Sequence, residues 1–154
     1  MTEALSAERI LDAAEEGLRR YGPQKTTVVD VARALDVSHG TVYRHYPSKA
    51  ALRDAVVARW LHRLTEPLER IASAADPAPE RLRAWLAALA EAKREKMRAD
   101  PEMFAAYSAL AEEARAVVGA HVAALVGQIE RILRDGVAAA PVRLADTAAA
   151  PPAG

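Results

Sequence analysis

The 154-residue sequence has no cysteine, one phenylalanine and two tryptophans. Without cysteine there can be no disulfide framework, thiolate metal site or cysteine nucleophile. Few aromatics, and no long alternation of β-branched residues, argue against a large sheet. No apolar stretch approaches the roughly 20 residues that a membrane span needs. The opening residues Thr2-Glu3-Ala4-Leu5-Ser6 lack the basic start and apolar run of a secretion signal. What is abundant is Ala, Leu, Arg and Glu, the strongest helix formers. These features predict an all-helical, soluble, cytoplasmic protein that needs no cofactor or metal and does not associate with membrane.

Acid is missing from one place in particular. Lys and Arg total 21 and so do Asp and Glu, yet residues 38–53 contain no acid. That stretch holds Arg44, Lys49, Arg53 and two histidines, a basic patch on a chain of zero net charge.

Seven helices follow from spacing and punctuation. Ser6 caps a helix over 7–21, with Ile10, Leu11, Ala14, Leu18 and Tyr21 on one face and Gly22-Pro23 ending it. Thr27-Val28-Val29-Asp30 has the form of a capping box and opens a short second helix that ends near Leu35. Asp36-Val37-Ser38 forms a turn, and Ser38 caps a third helix over 39–45. Ser48 caps a long fourth helix with Val57, Leu61, Leu64, Leu68 and Ile71 on its apolar stripe, and Pro67 is expected to kink it or tighten its end. Asp76-Pro77-Ala78-Pro79 reads as a linker and domain boundary. A fifth helix fits 80–98, a sixth starts at Asp100-Pro101-Glu102, and a seventh covers 112–135. The sequence predicts domains at 1–48 and 49–137, with a disordered tail over 138–154.

Two short helices joined by a three-residue turn, the second one basic, are the parts of a helix-turn-helix. A helix entering the major groove must be slim at its leading end, which Gly40 provides. Ser38, His39 and Thr41 then stand where base edges are reached, while Tyr43, Arg44 and His45 extend the exposed face. Thr27, Lys49 and free backbone N–H groups at helix starts suit phosphate oxygens.

The run from Thr26 to Leu52, with Ile10-Leu11-Asp12-Ala13-Ala14 and Tyr21-Gly22 before it, closely resembles the DNA-binding domain of tetracycline-repressor-like (TetR) regulators. The resemblance covers about residues 8–62. It implies an N-terminal three-helix head joined by the long fourth helix to a helical ligand-binding and dimerisation domain. It makes Ser38, His39, Gly40, Thr41, Tyr43, Arg44 and His45 DNA-facing, and assigns phosphate contacts to Thr27 and Lys49. The partners implied are a palindromic double-stranded operator, a small-molecule effector and a second copy of the chain. Asp36 stands where the family often has Gly, and Asp tolerates the left-handed conformation better than most residues. The family usually continues through two further helices that build its dimer interface. Here an Ala/Pro-rich tail stands in their place, which predicts weak self-association.

Trp85, Leu89, Met103, Phe104, Tyr107 and His121 are candidates for an apolar effector pocket; the same pattern also describes an ordinary helical core. Tyr46 reads as core, and Arg53, Arg59 and His62 as exposed charges or surface groups. An enzyme would need a nucleophile–base pair, a metal set or a phosphate loop at recognisable spacing, and none is present. Glu112 and Glu113 are adjacent, so they point to different helix faces. The reading is therefore a DNA-binding repressor released by a hydrophobic effector. The alternative is a shortened relative acting by protein contact or in a mixed dimer.

Overall fold

The computed structural model describes residues 6–140; the expected disorder of the tail lies, beyond Ala140, outside the described residues. Among the described residues the architecture is all-helical: α1 (Ala7–Tyr21), a 3-10 turn (Pro23–Lys25), α2 (Val28–Ala34), α3 (His39–His45), α4 (Lys49–Ala72), α5 (Ala78–Ala99), α6 (Pro101–Ala111) and α7 (Arg115–Ala139).

The caps act as the sequence predicts. Ser6, Thr27, Ser38 and Ser48 each accept a hydrogen bond from the backbone N–H three residues on. The Thr27–Asp30 pair closes a full capping box, because the Thr27 N–H also donates to the Asp30 carboxylate at 2.9 Å. Asp100 caps α6 through the Met103 N–H at 3.2 Å, with Pro101 at the first helical position where its missing N–H costs nothing. α4 runs through Pro67 without a break.

Three boundaries differ from expectation, the last because α7 runs on to Ala139, past the expected end at 135 and into the first residues of the expected tail. α5 begins at Ala78 because Pro79 is tolerated in a first turn. The last helix begins at Arg115 rather than 112. The Leu110 carbonyl accepts the N–H groups of both Glu113 and Ala114 at 3.0 Å, which closes α6, and Ala114 is buried.

Apolar packing forms two clusters. The first joins α1, α2, α3 and the first half of α4 to Met103, Ala106 and Leu110 of α6, so the three-helix head shares its core with the body. The second unites Leu68 and Ala72 of α4, Trp85 of α5 and Ile132 of α7. α4 belongs to both. The expected linker at 76–79 is a pinned turn: Arg81, 7% exposed, donates to the carbonyls of Ala72 and Asp76 at 2.8 Å and pairs with Asp135 at 3.0 Å.

α7 corrects one further expectation. By length and composition it is apolar enough to cross a membrane, against the expectation that no such stretch exists. Here it packs on α4 and α5 through Gln128 and Ile132. Val122, Val126, Leu133 and Val137 on its other side remain exposed.

Candidate nucleic-acid interface

The geometry starts in the turn between α2 and α3. Asp36 sits at φ 54°, the left-handed region that a non-glycine residue enters at a cost. The turn rewards it with two hydrogen bonds: Asp36 N–H to the Arg33 carbonyl at 3.2 Å and Val37 N–H to the Ala32 carbonyl at 3.0 Å. These are the paired bonds of a Schellman motif, and they bring Val37 back onto the core. The turn thereby fixes the direction in which α3 leaves α2.

α3 is held by one fully buried residue, Val42, with Tyr46 and Val37 packed beside it. Burial pushes the Tyr46 hydroxyl pKa up, as befits a core-facing ring. Every other side of α3 is open. Ser38, His39, Gly40, Tyr43, Arg44, His45 and Lys49 are exposed, and Thr41 is half-buried. The structure thus gathers eight of the nine predicted DNA-facing residues onto α3 and the start of α4. Ser38 spends its hydroxyl locally, accepting from the Thr41 N–H at 3.3 Å and sharing a 2.9 Å hydrogen bond with the Thr41 hydroxyl.

Gly40 lies in ordinary helical conformation. A Cβ there would come no closer than 3.9 Å to the Ser38 hydroxyl. Nothing among the described residues requires glycine at this position.

The ninth residue, Thr27, is differently placed. Its hydroxyl donates to Asp30 at 2.7 Å and accepts from the Asp30 N–H at 3.2 Å, which also holds the Asp30 carboxyl below its usual range. What the start of α2 offers an anion is therefore its free backbone N–H groups more than the Thr27 hydroxyl.

Arg53 and Arg59 are not exposed charges. Arg53 donates to the Pro23 carbonyl at 2.8 Å and pairs with Glu113 at 2.7 Å, tying the head to the end of α6. Arg59 reaches Glu8, Asp12 and Glu15 on α1.

The six candidate effector residues do not converge. Trp85, 1% exposed, donates its indole N–H to the buried Gln128 at 2.7 Å, and Leu89 packs in the same cluster. Met103 is fully buried in the other cluster, so neither Trp85 nor Met103 is open to a ligand in this state. Phe104 and Tyr107 pack against Trp60, with ring centroids 6.3 and 4.1 Å away. His121 lines a groove between α4 and α7 and lies 3.3 Å from the Thr65 hydroxyl; burial, then the charge of Lys93, lowers its pKa.

The family model for the N-terminal domain of bacterial regulatory proteins of the tetR family matches residues 10–56. The model for a tetracyclin repressor-like C-terminal domain matches residues 78–152. The chain belongs to the TetR family. Among curated relatives of this TetR-family chain, the HTH-type transcriptional regulator Rv1255c of Mycobacterium tuberculosis is 42% identical over 79 residues, 51% of this chain and 39% of that protein. TtgR of Pseudomonas putida, also named an HTH-type transcriptional regulator, is 32% identical over 68 residues, 44% of this chain and 32% of that one. The matches to both relatives span well under half of their length. The crystal structure of the TetR-family regulator PfmR from Thermus thermophilus aligns with 91% of this chain and 79% of its own, at 28% identity and a TM-score of 0.60. The N-terminal match spans α1, α2, α3 and the first turns of α4, so α2 and α3 are the helix-turn-helix pair of that family's N-terminal domain.

Proposed function

We propose that the chain represses transcription by placing α3 of two copies in successive major grooves of a palindromic operator, and that a small molecule held among α4 to α7 releases it. The observation that carries the docking mode is the exposed, acid-free surface of α3 and the start of α4, with a glycine in its leading turn that the chain's own packing does not need. Ser38, His39, Thr41, Tyr43, Arg44 and His45 face base edges or nearby phosphates. Lys49 and the amide ends of α2 and α4 hold the backbone.

Two heads must meet half-sites about 34 Å apart. The second copy docks on α7, whose outer side offers Val122, Val126, Leu133 and Val137 at helical spacing, with Glu130 and Arg134 among them as complementary charges. This reading replaces the expectation of weak self-association. Because α4 belongs to both cores, a ligand that tilts it changes the spacing of the heads. Operator affinity then falls by the ligand's differential affinity for the two states. Acting on DNA in a bacterial cell places the protein in the cytoplasm.

The test is operator binding by three variants, using DNA from upstream of the chain's own gene. Tyr43→Ala and Lys49→Ala should each weaken binding, and Lys49→Ala should also lower the slope of log affinity against log salt by about one unit. Gly40→Ala should leave thermal stability equal or slightly higher, since Ala is the better helix former, yet weaken binding by crowding the groove. Wild-type affinity in all three would overturn the assignment of α3.

A further inference from the structure

A cleft of about 300 Å³ opens between the end of α1, the middle of α4 and the second half of α5. Its apolar wall is made by Trp60, Leu64, Pro67 and Ala92, and its rim carries five charges: Arg19, Arg63, Glu95, Lys96 and Asp100. Four of the five are spoken for. Arg19 donates to Asp100 at 2.9 Å, Arg63 pairs with Glu15 at 3.2 Å, and Glu95 pairs with Arg98. Lys96 has no ion pair or hydrogen bond among the described residues. Its ammonium instead stands 5.0 Å from the centroid of the Trp60 ring.

A half-buried ammonium whose close contact is a ring face, with Glu15 and Asp100 attracting it only from a distance, is costly in the empty protein, and an arriving anion relieves that cost. Burial pushes the Lys96 pKa down, and the Arg63 charge pushes in the same direction. One unpaired positive charge matches one negative charge. A phosphate carrying two would also face the carboxylates of Glu95 and Asp100. The volume lies at the small end of ligand pockets, and the indole face suits a flat apolar body.

We propose that this cleft binds a small monocarboxylate with a flat apolar body, its carboxylate on Lys96 and its body against Trp60, Leu64 and Pro67. This names a ligand class for the effector of the proposed function and sets its site where α4 and α5 meet the end of α1, and it rests on that reading for its regulatory consequence. The consequence is local. Arg19 and Arg63, which border the cleft, are also two of the side chains that hold α1 against its neighbours through Glu15 and Asp100. A carboxylate held on Lys96 adds a negative charge to the same cleft that those ion pairs border. Pro67 has no N–H to give the Arg63 carbonyl, so α4 lacks a helical hydrogen bond at the level of the cleft. The ligand acts where the shared helix is easiest to bend.

The experiment compares 1-naphthoate with 1-naphthamide, which has the same shape and no charge, by calorimetry on the full chain. Naphthoate should bind at least about tenfold more tightly than the amide. Lys96→Met, which keeps the alkyl chain over Trp60, should remove that preference, and Lys96→Arg should restore most of it. No naphthoate binding, equal binding of acid and amide, or an unchanged preference in Lys96→Met each overturns the proposal. The wild-type comparison needs no variant to fold. Naphthoate that binds through Lys96 but leaves operator affinity unchanged would support the cleft and sink the effector reading, so the two failures are distinguishable.

Discussion

The buried carboxylate of Glu15 on α1 accepts a hydrogen bond from Arg59 Nε on α4 at 3.1 Å, joining the first helix of the head to the helix that head and body share. Arg63 from α4 and Arg19 from α1 itself converge on the same carboxylate at 3.2 and 3.4 Å. Glu15 is 3% exposed, and three guanidinium groups stand where its water would otherwise be. Arg59 continues to Glu8 and Asp12, which makes the contact a clasp along one face of α1.

Replacing Glu15 by Gln should therefore leave buried cations without their counter-charge. The cost expected is about 2–3 kcal/mol, below the roughly 3–5 seen for fully buried pairs because Arg19 and Arg63 are partly solvated. Urea unfolding followed by circular dichroism reads it directly. A loss under about 1 kcal/mol would mean that the arginines re-pair with Glu8, Asp12 and Asp100 and that Glu15 is dispensable.

The turn into α3 gives a sharper local test. Asp36 holds φ 54° at a cost of about 1–2 kcal/mol relative to a residue free of Cβ strain. Asp36→Gly should be neutral or stabilising, its relief of strain offset in part by the freer unfolded chain. Asp36→Val, β-branched and unable to sit there comfortably, should lower stability by at least about 1 kcal/mol and loosen α3, so operator affinity falls with it. Equal melting temperatures for the Gly and Val variants would show that the turn does not depend on its left-handed residue.

How much of this was legible beforehand depended on range. Caps and breakers are local, so Ser6, Thr27, Ser38 and Ser48 marked their helices, and Asp36 was readable as the left-handed residue from its place in the turn. Long-range pairing is not local. Arg53 and Arg59 read as surface charges because nothing in their neighbourhood announces Glu113 or Glu15, which lie 60 and 44 residues away. Trp85 and Met103 read as ligand-facing because a pocket wall and a core wall have the same composition, and only the fold shows that both are sealed. Trp60 and Lys96 were missed. Trp60 continues the Val57–Leu61–Leu64 stripe and could have been found there, whereas an unpaired Lys96 becomes visible only when its neighbours' charges have been matched.

Acid should weaken the protein in a defined window. Burial alone would raise the Asp100 pKa, but the Arg19 hydrogen bond and the Met103 N–H hold it below its ordinary value; the Arg131 hydrogen bond does the same for Glu69 against a smaller burial effect. Both folded carboxyls release protons more readily than their unfolded counterparts. Their stabilisation is thus complete above about pH 5 and lost progressively as pH falls through the unfolded and then the lowered folded values. The urea midpoint should drop as pH falls below about 5, and Arg19→Met or Arg131→Met should shrink that drop while lowering the midpoint at neutral pH. An identical acid dependence in both variants would place the titration elsewhere.

The outer face of α7 decides whether the regulator works as a pair. Single exposed apolar residues are ordinary on a protein surface. Val122, Val126, Leu133 and Val137, however, recur at intervals of four and seven along one helix, and three of the four are about half exposed, with Val137 at 77%. A stripe of that spacing fits a second helix of the same kind laid antiparallel, since two-fold symmetry then sets Val122 of each copy against Val137 of the other and Val126 against Leu133. Exchanging Val126 and Leu133 together for Glu should barely change the stability of the single chain, because both side chains point to water there. It should abolish the dimer in sedimentation and weaken operator binding, since each head would then dock without the other. A wild-type chain that sediments as a monomer at micromolar concentration would refute the pairing. So would a double variant that still dimerises, which would move the interface to another face of the body.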